Sequence, residues 1–106
     1  MAKYMIQASY TREGMQGVLK EGGSGRRDAI GKLLAEVGGS LESFHFAFGE
    51  EDAFVIVDVP DNITAAAIGM AVGASGAVTT KTVVLLTPEE IDAAAKKSIP
   101  YRPPGK

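Results

Sequence analysis

Over residues 3–10 the chain alternates, with Tyr4, Ile6, Ala8 and Tyr10 on one side and Lys3, Met5, Gln7 and Ser9 on the other. This period of two predicts a strand. The period changes at Thr11, which can cap a short helical turn carrying Met15, Val18 and Leu19, closed by Glu21-Gly22-Gly23. Ser24 can start a longer helix in which Ile30, Leu33, Leu34 and Val37 recur at helical spacing, stopped by Gly38-Gly39. Alternation returns over residues 41–48, with Phe44, Phe46 and Phe48 on one face and Ser43, His45 and Ala47 on the other. Gly49-Glu50-Glu51-Asp52 is short, polar and opened by glycine, which makes residues 54–59 the return strand of a hairpin closed by Pro60. Asp61 or Asn62 can cap a second helix from Ile63 to about Ser75, and after Gly76 a β-branched run over residues 78–86 predicts a fourth strand. Thr87-Pro88-Glu89-Glu90 combines a capping hydroxyl, a first-turn proline and a third-position glutamate, so a last helix runs to about Ser98. Pro100, Pro103 and Pro104 make residues 99–106 an extended tail, with Tyr101 as a packing strap.

The order β-α-β-β-α-β predicts an α+β fold: a ferredoxin-like sandwich with a four-stranded antiparallel sheet and two helices on one face, plus the extra C-terminal helix and tail. Residues 1–98 form one domain. Two helices cover only one side of the sheet. The third strand presents Phe54 and Ile56 on one side and Val55, Val57 and Val59 on the other, so the second face needs a partner, and a homodimer is expected. The second helix has no charged residue between Asn62 and Lys81, which adds a further uncharged surface open to a higher oligomer. Its Gly69 and Gly73 are read as points of close approach to the sheet or another helix.

Composition narrows the classes of function. The 106 residues suit one core, and 11 Lys and Arg against 13 Asp and Glu give a net charge of -2 with the charges scattered. Nucleic-acid binding is therefore not expected. The chain has no Cys and one His, which excludes disulfides, thiolate sites and a His-rich metal site. The N-terminus enters a strand without an apolar leader, and the second helix is too short and too rich in Ala and Gly to span a membrane, so a cytoplasmic protein is expected.

The segments Tyr4-Met5-Ile6-Gln7-Ala8-Ser9-Tyr10-Thr11, Leu19-Lys20-Glu21-Gly22-Gly23-Ser24, Phe46-Ala47-Phe48-Gly49, Leu86-Thr87-Pro88-Glu89-Glu90 and Tyr101-Arg102-Pro103-Pro104-Gly105 together resemble the GYD-domain family of small bacterial proteins. Gly49 and Asp52 keep two letters of the Gly, Tyr, Asp signature, but Glu51 stands where the tyrosine would, so no role of that tyrosine carries over. The resemblance implies a dimeric α/β barrel in which two ferredoxin-like sheets close around a cavity. It implies no particular reaction. Other proteins of that architecture include cofactor-independent aromatic monooxygenases, haem enzymes and lactone isomerases, and architecture alone is a weak guide to chemistry.

His45 is the one side chain that titrates near neutrality unperturbed, and as a base it would need Asp52 or Asp58 on the adjacent strand to orient it. The His45 and Asp58 pair is the candidate catalytic set; the plainer reading is a histidine that only satisfies its neighbours. The absence of Trp, and a single Asn at a helix start, count against an oxygenase of the kind just named. A haem ligand is disfavoured because His45 lies in a strand, so no cofactor is expected. Tyr10, Gln7, Ser9 and Lys81, with Thr80 and Thr82, lie on the first and fourth strands, expected to pair at the sheet centre. There they would line either a small-molecule cavity or a hydrated dimer seam. Arg26 and Arg27 follow Gly22-Gly23-Ser24-Gly25 at a helix start and could hold a phosphate or carboxylate of a ligand; the alternative is a flexible link with solvated arginines. These residues point to a homodimer that binds a small organic molecule, between sheet and helices or between sheets; its enzyme version would carry out cofactor-free proton transfer or oxygenation of an aromatic or lactone-like compound. The alternative is a non-catalytic assembly or regulatory module.

Overall fold

The computed structural model describes residues 2–106. The elements follow in the order β1 (Ala2–Tyr10), α1 (Arg12–Glu36), β2 (Ser40–Phe46), β3 (Ala53–Val59), α2 (Asn62–Ala74), β4 (Val78–Leu85) and α3 (Pro88–Ala95). The four strands form one antiparallel sheet in the order β2-β3-β1-β4, the ferredoxin-like arrangement expected from the element order. Strands β1 and β4 do pair, but β1 and β3 occupy the centre and β4 is an edge. Sequence alone suggested a central β4; the two crossovers place it outside.

Local signals set the helix ends. Thr11 caps α1 by accepting from the Gly14 amide, Asp61 caps α2 by accepting from Thr64, and Thr87 and Glu90 form the reciprocal capping box of α3. Helix α1 is broken at Gly22, whose φ of 80° and ψ of 163° leave helical space, so the short turn and the longer helix read from the sequence are its two limbs. Gly38 ends the second limb with φ 79°, and the Gly39 amide donates back to the Leu34 carbonyl at 2.8 Å, which satisfies a terminal acceptor.

The inward face of the sheet carries Tyr4 and Ala8 of β1, Ala53, Val55, Val57 and Val59 of β3, and Val78 of β4, all buried; Leu34 of α1 packs on them with Ile30, Leu33, Ile68 and Phe44 around the rim. Burial of such side chains contributes about 1.5–3 kcal/mol each relative to exposure. The Tyr4 hydroxyl donates to the Asn62 side-chain oxygen and ties the centre of the sheet to the start of α2.

Three sequence expectations change here. Phe44 and Phe46 turn toward the helices, but β2 ends at Phe46, and Phe48 lies wholly exposed in the hairpin loop. A β-bulge at Glu42, between the Leu41 and Ser43 pairings, resets the alternation of β2. A Cβ at Gly69 or Gly73 would meet no atom within 4 Å, so neither glycine is required for close approach in this chain. The tail straps down nothing: Ile99 and Tyr101 are exposed, and α3 makes at most marginal contact with the other elements. The molecule accordingly extends 56 Å along its long axis.

Candidate functional site

Tyr10 is the last residue of β1 and shares the inward parity of Tyr4, Ile6 and Ala8. Its ring stacks on Phe46 with centroids 6.4 Å apart, and Phe46 in turn meets Phe44 at 5.2 Å. The second limb of α1 reaches this aromatic cluster because residue 23 is a glycine: a Cβ there would stand 3.1 Å from the Phe46 ring. One turn further along that limb, Arg26 stands beside the Tyr10 phenol. Burial raises the phenol pKa above its ordinary value, the Arg26 cation opposes that rise, and Asp52 and Glu21 add to it.

Two adjoining spaces meet at this pair. An inner cavity of about 50 Å³ lies between sheet and helices, walled by Ile6, Phe44, Ile68 and Val72 with the Thr80 and Thr82 side chains on its strand side. An outer cleft of about 370 Å³ opens along the first limb of α1, past Glu13, Gly17 and Glu21. Both are lined by Tyr10, Arg26, Leu33, Val72 and Val78, which form a neck where the two adjoin. An apolar recess with a phenol and a guanidinium at its neck is equipped to bind a small amphipathic molecule.

The candidates read from the sequence divide between the two faces of the sheet. Tyr10, Thr80 and Thr82 face the helices, whereas Gln7, Ser9 and Lys81 share the opposite pleat, Gln7 being paired directly with Lys81. They cannot line one cavity within a protomer. On that open face Glu51 accepts from the Ser9 hydroxyl at 2.7 Å and from Lys81 at 3.0 Å. Both contacts hold its carboxyl below the ordinary value, and the same pair raises Lys81. Arg27 is exposed and pairs with its neighbour Asp28 at 3.4 Å, away from the neck that Arg26 lines.

His45 is exposed on the open face, opposite Phe54 in the register. The orienting carboxylates suggested for it are engaged elsewhere. Asp58 lies 3.4 Å from Lys3, which also pairs with Glu42, and Asp52 accepts the Tyr10 amide at 2.9 Å. The His45 and Asp58 pair therefore does not form within the chain, because the register sets Asp58 against Ser40 and Lys3.

Sequence reasoning missed the cavity walls Phe44, Ile68 and Val72 and the anchoring role of Asp52. The alternation of β1 already held the signal that separates Tyr10 from Gln7 and Ser9, since side-chain parity alone places them on opposite faces. No such local signal linked Arg26 to Tyr10.

No curated protein and no solved structure matches the chain. Among the described residues, no helix is long and apolar enough to cross a membrane. The GYD domain family model matches residues 4–95, spanning the sheet, α1, α2 and α3. The match runs from the strand that carries Tyr10 through the limb that carries Arg26 and past the Gly49 to Asp52 turn, and the chain belongs to the GYD domain family.

Proposed function

We propose that this GYD-domain protein is a homodimer that binds a small organic molecule in the cleft between the helices and the sheet. The observation that carries the binding reading is the neck itself, where Tyr10 and Arg26 bring a phenol and a guanidinium to a predominantly apolar recess whose strand side also carries Thr80 and Thr82. The dimer rests on the other face of the sheet. Met5, Phe54, Ile56 and Leu85 sit there half-buried, with Val83 exposed beside them and no helix to cover them. Ion pairs of Lys3 with Glu42 and Asp58, and of Lys81 with Glu51, flank this apolar strip. A second sheet laid on the strip would remove it from water and place His45, Gln7 and Lys81 at the seam. Any chemistry in the cleft would be cofactor-free and fall to the Tyr10 phenol, as proton donor or hydrogen-bond donor; a catalytic role for His45 would require the seam.

One observation favours assembly as the purpose. Helix α2 exposes Ile63, Ala66, Ala67, Met70 and Ala74 along one uncharged stripe.

A native mass spectrum of freshly purified protein, set against a denaturing spectrum, tests both readings. Twice the chain mass with a reproducible adduct, weakened in Tyr10→Phe, is the expected result. A monomer at micromolar concentration overturns the dimer, and a clean oligomer without adduct favours assembly.

A further inference from the structure

We infer that the ligand of this cleft is a small monocarboxylate with a short branched apolar group, its carboxylate held by Arg26 and Tyr10 at the neck and its apolar end in the inner cavity. The inference rests on the proposal that the cleft binds a small organic molecule, and adds its charge and size.

Charge comes first. Among the described residues the ion pairs engage Lys3, Arg27 and Lys81, but no carboxylate lies within ion-pair distance of Arg26. Arg26 is half-buried against apolar walls, where a guanidinium without an anion is costly and a planar carboxylate matches its fork of donors. The Tyr10 hydroxyl beside it supplies a further donor. The outer cleft sets the limit on charge. Glu13 and Glu21 line it, and they would repel a second negative group projecting outward. One anionic group fits; two do not.

Size follows from the inner cavity. Its volume of about 50 Å³ is well below the roughly 150 Å³ of an apolar cavity known to accept benzene. An isopropyl-sized group enters without opening the core, and an aromatic ring does not. A ring is left to the outer cleft, whose wall sets the Glu13 and Glu21 carboxylates beside Val18 and Val72.

The test is amide chemical-shift mapping of the full-length protein titrated with 3-methylbutanoate, 3-methylbutanamide, methylsuccinate and benzoate, in the native chain and in Arg26→Gln and Arg27→Gln. Expected are saturable shifts at Tyr10, Ile30, Phe44 and Val72 with 3-methylbutanoate, and affinity weaker by roughly tenfold or more for the amide and for Arg26→Gln. Arg27→Gln, whose guanidinium faces Asp28, should bind as the native chain does. Methylsuccinate and benzoate should bind more weakly than 3-methylbutanoate. Equal affinity for acid and amide, with shifts still centred on the neck, overturns the anion while leaving the cleft as a binding site. Tighter binding of benzoate or methylsuccinate overturns the size or charge limit. No shift at the neck with any of the four probes overturns both the inference and the binding proposal.

Discussion

Asp52 holds Tyr10 by its backbone: the carboxylate accepts the Tyr10 amide at 2.9 Å. The Asp52 amide donates to the Ala8 carbonyl and its own carbonyl accepts from Ala47, each at 2.8 Å. The hairpin loop is thereby fixed to the end of β1 at the residue whose side chain forms the neck of the cleft. Asp52 thus fixes the Tyr10 backbone from the loop that precedes β3, with a glutamate and no tyrosine at position 51.

Replacing Asp52 by Ala leaves the Tyr10 amide without its acceptor and frees the loop. A hydrogen bond to a charged group contributes about 1.5–3 kcal/mol, so Asp52→Ala should lower the free energy of unfolding by an amount in that range. Asp52→Asn keeps a carbonyl acceptor and should recover most of the loss. Urea denaturation of both variants measures the difference; equal losses would show that charge, and not the acceptor, matters here.

Gly14 and Gly17 lie one turn apart on the first limb of α1 and should respond oppositely to alanine. A Cβ at Gly14 would collide with the backbone carbonyl of Ala77, in the turn that leads into β4, which also receives the Thr11 amide at 2.9 Å. Backbone cannot yield as a flexible side chain can, and overpacking of this kind costs about 1–3 kcal/mol. Gly17 faces open space, so Gly17→Ala should stabilise the chain by up to about 1 kcal/mol through helix propensity. Thermal melts of the pair measure both signs.

Acid should weaken the fold through two carboxylates. Hydrogen bonds from Ser9 and Lys81 lower the Glu51 pKa, and those from Thr64 lower Asp61 at the start of α2. A carboxyl with a lowered folded pKa contributes its stabilisation above the ordinary carboxylate value of about 4, and loses it as the pH falls through the lowered value. The urea midpoint should therefore fall below that range. Glu51→Gln should flatten this acid dependence and Lys81→Met should reduce it, while neither should change the slope near neutral pH. An unaltered acid limb in Glu51→Gln would remove the Ser9, Glu51 and Lys81 cluster from the account.

Helix α3 and the tail should be dispensable to the folding of the remaining chain. Leu86, Ile91, Ile99 and Tyr101 are exposed, and α3 is held by its own capping box more than by tertiary packing. A chain ending at Leu86 should keep its sheet signal in circular dichroism and unfold within about 1 kcal/mol of the full-length protein, as is usual for changes away from buried groups. A larger loss would mean that these side chains are buried by association, which sedimentation of the same samples would reveal.

Much of the fold was legible in the residues. The period of two in residues 3–10, the caps at Thr11 and Thr87, and the glycines at 22, 38 and 76 each act within a few residues, so the order of elements followed from local chemistry. Less of the site was legible. Tyr10 and Arg26 meet only because Gly22 turns the second limb of α1 over the sheet and Gly23 lets it approach Phe46. His45 and Asp58 were linked by adjacency of their strands, yet register sends Asp58 to Lys3.

By itself the sequence determined the elements, their order and, outside the bulged β2, which side chains share a pleat, because backbone conformation and side-chain parity are set by near neighbours. The tertiary structure decided which pleat faces the helices, that β4 is an edge, and that a phenol from β1 and a guanidinium from α1 share one neck. Those outcomes depend on crossovers and packing between distant segments, where the burial of one whole face against another outweighs any preference a single residue carries.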